Sequence, residues 1–536
     1  MANSSEKENG ITERFYKQRK TMKQSAPVMN RVAISTVLIV FVGLVSKGLG
    51  FLRDMFLALF LGAGMENDAF QIAQSLPFTI FGTISVSMTT LYITIYEEVK
   101  NRHGKREALS FSNHLFIQLV FYAFFVSILG NLSAPMFVSF FAPGFSEEGR
   151  QLAIENTKIS FWGIVLHVYI AVVSGYLHSE KKFFVTSLKG IFMNIGTLLL
   201  FFVLLFLQKD TVSIHIIALT ILGGLLFYAL LLTIEMKRSG YGFVTEKFSH
   251  SNEYVKKFFY LLLPISFGAS VTQLAPICDR IIASFLGEGS ISALAYGGRL
   301  TLFGGAVIAS AVITVVYPSV VQWVQARQEA KVWDLMKKYM ILLQSVMVPL
   351  VVFIFSESEL LVEVFFGRGR FSKEDVFMTA SVVRCLALGL IVYGVREVYI
   401  KIFHALQDTK TPVKNGMYAV LFNIVFSLLL MFPFGIAGIA LGTSLSLTIM
   451  TILLHNKLRK KWCWINMNIP WREMGYIFYC SLAAALVCQI VQWQVTIVPF
   501  VRLLLLSVLF MSIYCLLSIA TKRMWVIYAK HLLEGR

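Results

Sequence analysis

The stretch GLGFLRDMFLALFLGAG, residues 48–64, places Arg53 and Asp54 inside an apolar run that otherwise has the character of a membrane span, with Lys47 just before it. A charge at the bilayer centre costs about 2.5–3.5 kcal/mol on insertion scales, so a span keeps one where it faces a water-filled cavity or an opposite charge. The stretch therefore allows two hypotheses. Either these charges form an ion pair that stabilises a helix bundle, with each other or with a residue of another helix, or they face a water-filled cavity. Because adjacent helical residues point about 100° apart, we expect Arg53 and Asp54 to have different partners.

The rest of the chain has the composition of a polytopic membrane protein. Of its 536 residues, 57% are hydrophobic and only 15% are charged, with a mean hydropathy of +0.70, whereas soluble domains carry about 25% charged residues. A helix needs about 20 apolar residues to cross the hydrocarbon core, and such runs predict an all-α protein with about fourteen spans. Their predicted limits are 34–60, 68–95, 110–141, 153–177, 183–207, 212–235, 257–285, 290–320, 339–365, 377–403, 412–432, 435–455, 473–493 and 497–520.

The basic residues predict the orientation of these spans. With both termini in the cytoplasm, 34 of the 48 Lys and Arg residues fall in inward loops and tails, and only six fall in outward loops. The reverse orientation would violate the positive-inside rule. The net charge of +18 is thus explained by the topology of the spans. It does not indicate a nucleic-acid-binding protein. The first span is too long for a signal peptide.

The chain also repeats itself at an offset of 225 residues. RDMFLALFLGAG (53–64) resembles DRIIASFLGEG (279–289), with Asp54 in register with Asp279. Each half supplies six spans, and an even number gives both halves the same orientation; in transporters built this way the substrate site lies between the halves. The predicted divisions are an N-terminal tail (1–33), a first lobe (34–236), a linker (237–256), a second lobe (257–456), a cytoplasmic loop (457–472), two further spans (473–520) and a C-terminal tail (521–536).

A second buried cation supports the interpretation of a wet cavity. Arg299 lies early in the eighth span, in ALAYGGRLTLFGG, among glycines that let a backbone or ligand come close. Lys47, Arg53 and Arg299 would give a cavity a positive field that suits phosphate, to which Arg offers bidentate contacts. Asp279 either pairs with Arg280 or another neighbour, or coordinates a cation.

The sequence contains no recognisable catalytic constellation. HExxH, GxSxG and P-loop motifs are absent from it, its histidines are scattered, and its six cysteines have no metal-site spacing. We therefore expect a protein that is not an enzyme and has no organic cofactor.

Several motifs together resemble the MurJ (MviN) lipid II flippase family of the MOP exporter superfamily. They are SKGLGFLRDMFLALFLGAGMENDAFQIAQSLP (46–77), FAPGF (141–145), DRIIASFLGEGSISALAYGGRL (279–300), FGRGRF (366–371) and HALQDTKTPVK (404–414). The resemblance implies two six-helix lobes that open alternately inward and outward, and two last helices that hold a polyprenyl tail. It implies transport of an undecaprenyl-diphosphate-linked peptidoglycan precursor across the bacterial cytoplasmic membrane, with cell-wall synthesis proteins as partners.

The same resemblance implies roles for individual residues. Matches to family cavity positions are Ser46, Arg53, Asp54, Asp68 and Arg299, with Lys47 where an Arg is usual. A sodium site of some members would fall on Asp279, Asn423, Thr443 and the Ile439 carbonyl, with Ser427 in place of an Asp. The membrane potential is the expected driving force, with either Na⁺ or chloride as the ion that would be involved.

The second span departs from the family pattern. Phe81 and Val86 stand where the family carries an Arg and a Glu. This departure leaves open a flippase for a different polyprenyl-linked saccharide. The sequence is also compatible with a cation-coupled drug exporter of the same fold, and with a non-transporting scaffold that recruits cell-wall synthesis proteins through the basic segments 235–257 and 456–472.

Overall fold

A computed structural model describes residues 41–207, 212–242, 251–271, 273–463, 465, 468–492 and 497–521. The predicted tails, apart from Thr521, and parts of the linker and of the loop 457–472 lie outside these residues. Within them all regular secondary structure is helical, which confirms the predicted fold class. The helices are α1 (41–61), α2 (Met65–Gln74), a π-helix (Ser75–Ile80), α3 (Phe81–His103), α4 (Lys105–Leu132), α5 (Ala134–Phe141), α6 (Glu147–Phe161), α7 (Gly163–Ser179), α8 (Phe184–Ser187), α9 (Lys189–Leu207), α10 (Ile214–Arg238), α11 (Ser251–Val271), α12 (Leu274–Ala283), α13 (Ser290–Gln325), α14 (Glu329–Ser356), α15 (Ser358–Phe366), α16 (Lys373–Ala405), α17 (Lys410–Lys461), α18 (Trp471–Gln492) and α19 (Pro499–Ala520).

Many of these helices are long and apolar enough to cross a membrane. Ten helical segments in the described part of the chain meet that condition, where α2, the π-helix and α3 count as one segment and α6 and α7 as another. The number is eleven if α11 and α12, bent by 53° at their junction, form one span. The predicted spans 412–432 and 435–455 both lie in α17, whose helical geometry is interrupted at Gly435. The chain is thus a multi-pass membrane protein, and these helices are consistent with about fourteen spans.

Two bundles account for most of the packing. The first lobe surrounds buried aromatic side chains such as Tyr92, Phe111 and Tyr228. The second lobe packs α14, α16 and α17 around Trp333 and Phe403. Burial of each large apolar side chain contributes about 1.5–3 kcal/mol where it leaves water; inside lipid, close packing replaces that driving force.

Helix α11 leads from the first lobe to the second, and the C-terminal pair of helices packs on the second lobe. The start of α11 belongs to the core of the first lobe, through Tyr254 and Phe258, and Lys257 forms an ion pair of 2.6 Å with Glu98. The change from one lobe to the other therefore takes place at the bend between α11 and α12. Helices α18 and α19 pack on α14 and α15, where the Tyr514 hydroxyl donates to the Ser345 carbonyl at 2.7 Å.

The lobes meet at one end of the molecule, which we call the closed end and define by the turns 62–64, 142–146, 284–289 and 367–372. There the Arg370 guanidinium pairs with Glu66 at 2.7 Å, and the Gly144 amide donates to the Ser284 hydroxyl at 3.3 Å. In the predicted orientation, with both termini in the cytoplasm, the closed end would be the outward end of both lobes.

Candidate functional site

The centre of the site is one carboxylate shared by two arginines. Asp54 on α1 is only 4% exposed, and its Oδ1 lies 3.0 Å from Nη2 of Arg53 and 2.6 Å from Nη1 of Arg299. The expectation that Arg53 and Asp54 have different partners is wrong, because the long Arg side chain folds back onto the carboxylate of the next residue. The predicted ion pair is therefore realised, and it extends across the lobes, since Arg299 belongs to α13.

A third arginine reaches the same place from α12. Nη1 of Arg280 lies 2.6 Å from the Ser75 hydroxyl and 3.4 Å from the Gln71 carbonyl. Arg299 also contacts Gln71, since its Nη2 donates to Oε1 at 3.3 Å. Gln71 and Ser75 lie in the first lobe, at the junction of α2 with the π-helix, an irregularity that is frequent at functional sites.

Arg280, Gln71 and Ser75 were not among the residues predicted for the site. The only signal for Arg280 was a cation inside a predicted span, next to Asp279 in the repeated motif. Neutral side chains such as Gln71 and Ser75 carry no signal of this kind.

Two of the arginines line a cavity of about 340 Å³. It lies among α12, α13, α16 and α17, and the lining residues include Asp279, Arg280, Arg299, Tyr393 and Thr443. The remaining wall is largely apolar, with leucines from α13, α16 and α17. A mostly apolar pocket with a few convergent polar groups is the usual form of a ligand site. This cavity lies within the second lobe and borders the first lobe at its two arginines. Of the three cations predicted to line a cavity between the lobes, only Arg299 lines it.

Other residues predicted for the site are placed elsewhere. Lys47 is exposed on α1, about 9 Å along the helix axis from Arg53, and has no ion-pair partner among the described residues. The Ser46 carbonyl accepts from the Asn194 side chain at 3.4 Å, so Ser46 lies against α9. Phe81 packs against the core of the first lobe, and Val86 is 61% exposed.

Asp68 connects the lobes at the closed end. It is 2% exposed, and its carboxylate accepts from the backbone amides of Gly289 and Ser292, each at 2.7 Å, and from the Ser292 hydroxyl. The two amides belong to the N-terminus of α13, where backbone N–H groups have no partner within the helix and the helix carries positive partial charge. In this conformation Asp68 thus caps a helix of the opposite lobe.

The residues of the predicted cation site do come together. Asp279 accepts from the hydroxyls of Ser427 at 3.2 Å and Thr443 at 3.0 Å, and it forms no ion pair with Arg280. Asn423 donates to Thr443 at 3.1 Å, which leaves its own Oδ1 buried without a partner among the described residues. With the Ile439 carbonyl, which accepts from Thr443 at 3.3 Å, these are oxygen donors of the kind that hard cations prefer.

The donor set fits a monovalent cation better than a divalent one, because it holds one carboxylate. No group of three or more His, Cys, Asp or Glu side chains that could hold a metal ion is found among the residues described. Asp279, Asn423 and Thr443 would hold Na⁺, and the ion would supply a positive charge beside Arg280.

Comparisons with known proteins agree on one family. The sequence model described as "Lipid II flippase MurJ" matches residues 57–525. Similar curated proteins include the "Probable lipid II flippase MurJ" of Buchnera aphidicola subsp. Acyrthosiphon pisum, 27% identical over 446 residues, which cover 82% of this chain and 86% of that protein. Another is that of Haemophilus influenzae, 28% identical over 440 residues, which cover 78% and 84%.

Solved structures show the same fold. "Lipid II flippase MurJ, inward closed conformation" superposes with a TM-score of 0.74 at 24% identity, covering 90% of this chain and 98% of that one. An inward-facing multidrug resistance MATE family transporter of the MOP superfamily gives a TM-score of 0.62 at 16% identity, covering 78% and 94%.

Proposed function

The chain belongs to the lipid II flippase MurJ family, and on this premise we propose that it moves lipid II from the inner to the outer leaflet of the bacterial cytoplasmic membrane. Lipid II is an undecaprenyl-diphosphate-linked peptidoglycan precursor. The observation that carries the proposal is the meeting of Arg53, Arg280 and Arg299, from both lobes, beside a cavity. Guanidinium groups bind phosphate oxygens in a bidentate manner, so this cluster suits the diphosphate.

The proposed cycle is alternating access. The lipid headgroup enters from the cytoplasmic side while the closed end is shut, and its diphosphate competes with Asp54 for Arg53 and Arg299. The lobes then separate at the closed end and release the headgroup outside. The polyprenyl tail stays in lipid, against α18 and α19. The chain's own residues bind and orient the headgroup, and no covalent bond is made or broken. The protein is therefore a transporter and not an enzyme.

The driving force proposed is the membrane potential, with Na⁺ or chloride as the coupling ion. A potential that is positive outside favours the return of an emptied, cationic cavity to the inward state, at about 2.3 kcal/mol per charge per 100 mV. The basic cytoplasmic segments would be the docking sites for cell-wall synthesis proteins.

A second candidate is a flippase for a different polyprenyl-linked saccharide. Two apolar residues favour it, Phe81, which packs against the first lobe's core, and Val86. At these two positions the family resemblance leads us to expect a cation and a carboxylate. Purified protein in liposomes, offered defined polyprenyl-diphosphate glycans, separates the two candidates by which lipid crosses the bilayer.

The test of the proposed site uses Arg53→Ala and Arg299→Ala. Each removes a cation of the arginine cluster around Asp54, so we expect each to reduce lipid II flipping in proteoliposomes at least tenfold and to fail to support growth of a flippase-depleted strain. Arg384→Ala is the matched control, since Arg384 also lies in a predicted span and pairs with a carboxylate, Glu359, at 2.6 Å, but is not part of the cluster around Asp54. The proposal is wrong if Arg53→Ala and Arg299→Ala are both inserted normally and still flip lipid II at the control's rate.

A further inference from the structure

We propose that Arg280 is a direct ligand of the substrate's diphosphate, presented by the second lobe. The inference rests on the proposed function and adds a residue and a conformational consequence to it. It is drawn from the position of the Arg280 guanidinium, from the acceptors that hold it, and from the charges around it.

The first argument is the charge balance of the site. Asp54 is the carboxylate that serves both Arg53 and Arg299. Arg280 has no carboxylate within ion-pair distance among the described residues, and its guanidinium is held by two neutral oxygens, the Ser75 hydroxyl and the Gln71 carbonyl. Its neighbour Asp279 lines the same cavity but accepts from the Ser427 and Thr443 hydroxyls of α17 and forms no ion pair with Arg280. Arg280 is therefore the cluster's cation without direct neutralisation.

The second argument is the location of the guanidinium. Arg280 and Arg299 line the same cavity, and both contact Gln71 of the first lobe. The two cations repel each other across this largely apolar cavity. The one carboxylate among its described lining residues, Asp279, is engaged by the Ser427 and Thr443 hydroxyls. A diphosphate carries negative charge on both phosphate groups, so it can engage both side chains at once.

The third argument is the relative strength of the competing contacts. A bond from a guanidinium to an anionic oxygen is roughly twice as strong as one between neutral groups, and phosphate adds a bidentate geometry. Phosphate oxygens would therefore replace the Ser75 hydroxyl as the partner of Arg280. Because Ser75 belongs to the first lobe and Arg280 to the second, this exchange removes one of the contacts that join the lobes, and it links headgroup binding to lobe separation.

The experiment compares Arg280→Gln with Ser75→Ala in the purified full-length protein. Both variants remove the 2.6 Å hydrogen bond between the lobes, but only the first removes the guanidinium. We expect Arg280→Gln to weaken binding of undecaprenyl diphosphate roughly ten- to a hundredfold and Ser75→Ala to change it less than about threefold. Arg280→Lys, which keeps the charge and loses the fork, should fall between them. A melting curve for each variant reports whether it is folded.

Three outcomes would overturn the assignment. Equal losses in Arg280→Gln and Ser75→Ala would mean that Arg280 acts only as a contact between the lobes. Unchanged affinity in a folded Arg280→Gln variant, with lipid II flipping intact, would remove Arg280 from the site. Equal affinity for inorganic diphosphate and for undecaprenyl diphosphate would indicate a site for a free anion. By contrast, Arg280-dependent binding of undecaprenyl diphosphate in a protein that does not flip lipid II would overturn the proposed function and leave the assignment of Arg280 standing.

Discussion

At the scale of single residues, the shared carboxylate of Asp54 sets the properties of the site. A buried ion pair gains little net stability, because desolvation of the charges offsets their attraction. Removal of one partner is costly, however, since the remaining charges are left unpaired. Asp54 therefore acts as a resident counter-ion that a bound anion has to replace.

This competition predicts the effect of Asp54→Asn. Without the carboxylate, Arg53 and Arg299 are available to the ligand, so we expect affinity for undecaprenyl diphosphate to rise by up to about tenfold. We expect flipping to slow, because the emptied cavity would then hold unpaired cations. Ligand titration and a flipping assay measure the two quantities.

The control for this variant is Glu66→Gln. It also removes a carboxylate that pairs with an arginine, Arg370, but at the half-exposed closed end, where such pairs contribute about 0–1 kcal/mol. It should leave affinity unchanged. If Asp54→Asn binds undecaprenyl diphosphate more weakly than Glu66→Gln does, Asp54 supports ligand binding and does not compete with the ligand for the arginines.

At the scale of secondary-structure elements, breaks in the helices place the functional groups. α12 is a short helix, offset by 53° from the preceding segment, and this offset carries Arg280 to the first lobe. α17 contains a different break. Gly435 has φ +56° and ψ −133° inside a 52-residue helical segment, a conformation that only glycine adopts readily.

Gly435→Ala tests this break. A Cβ at Gly435 meets no atom within 4 Å, so its cost comes from the backbone alone, about 1–3 kcal/mol of stability. Gly416→Ala, in the same helix, is the matched control, because a Cβ there also meets nothing within 4 Å and Ala is favoured over Gly inside a helix by about 0.5–1 kcal/mol. Thermal unfolding in detergent should show a lower Tm for Gly435→Ala and an unchanged or higher Tm for Gly416→Ala. An equal Tm for both variants would mean that the backbone at position 435 accepts an alanine without strain.

At the scale of the whole molecule, close backbone contacts at the closed end decide which side of the protein is shut. A Cβ on Gly144 would lie 2.3 Å from the Ser284 carbonyl oxygen, and one on Gly289 would lie 2.1 Å from the Ala63 carbonyl oxygen. Each contact joins one lobe to the other. Backbone atoms cannot yield to such an overlap as a flexible side chain can, so the lobes would have to move apart.

Gly144→Ala is therefore expected to disfavour the conformation described here. Gly144 does not have a positive φ, so alanine strains the contact between the lobes and not the local backbone. Cysteines placed in the closed end should react faster with a membrane-impermeant thiol reagent in this variant, and lipid II flipping should fall. Gly475→Ala on α18, where a Cβ meets nothing within 4 Å, is the control. Reactivity equal to that of the control would show that the closed end accommodates the methyl group.

The sequence by itself determined the class of the protein, its repeat and the importance of a few charges. Apolar segments long enough to cross the membrane predict helices, because a helix satisfies the hydrogen bonds of the backbone within the segment itself. A charge inside such a run is costly enough to mark Arg53, Asp54 and Arg299 without a structure.

Only the tertiary structure decided how those charges are paired. Residues 53 and 299 meet because the lobes join at the closed end, and this depends on backbone contacts between turns hundreds of residues apart. The direction of a side chain on a known helix is likewise set by its neighbours, so Arg280 reaches Ser75 while Asp279 faces α17. The hydrophobicity of a segment follows from its own residues, whereas the partner of a charge depends on which surfaces the whole chain brings together.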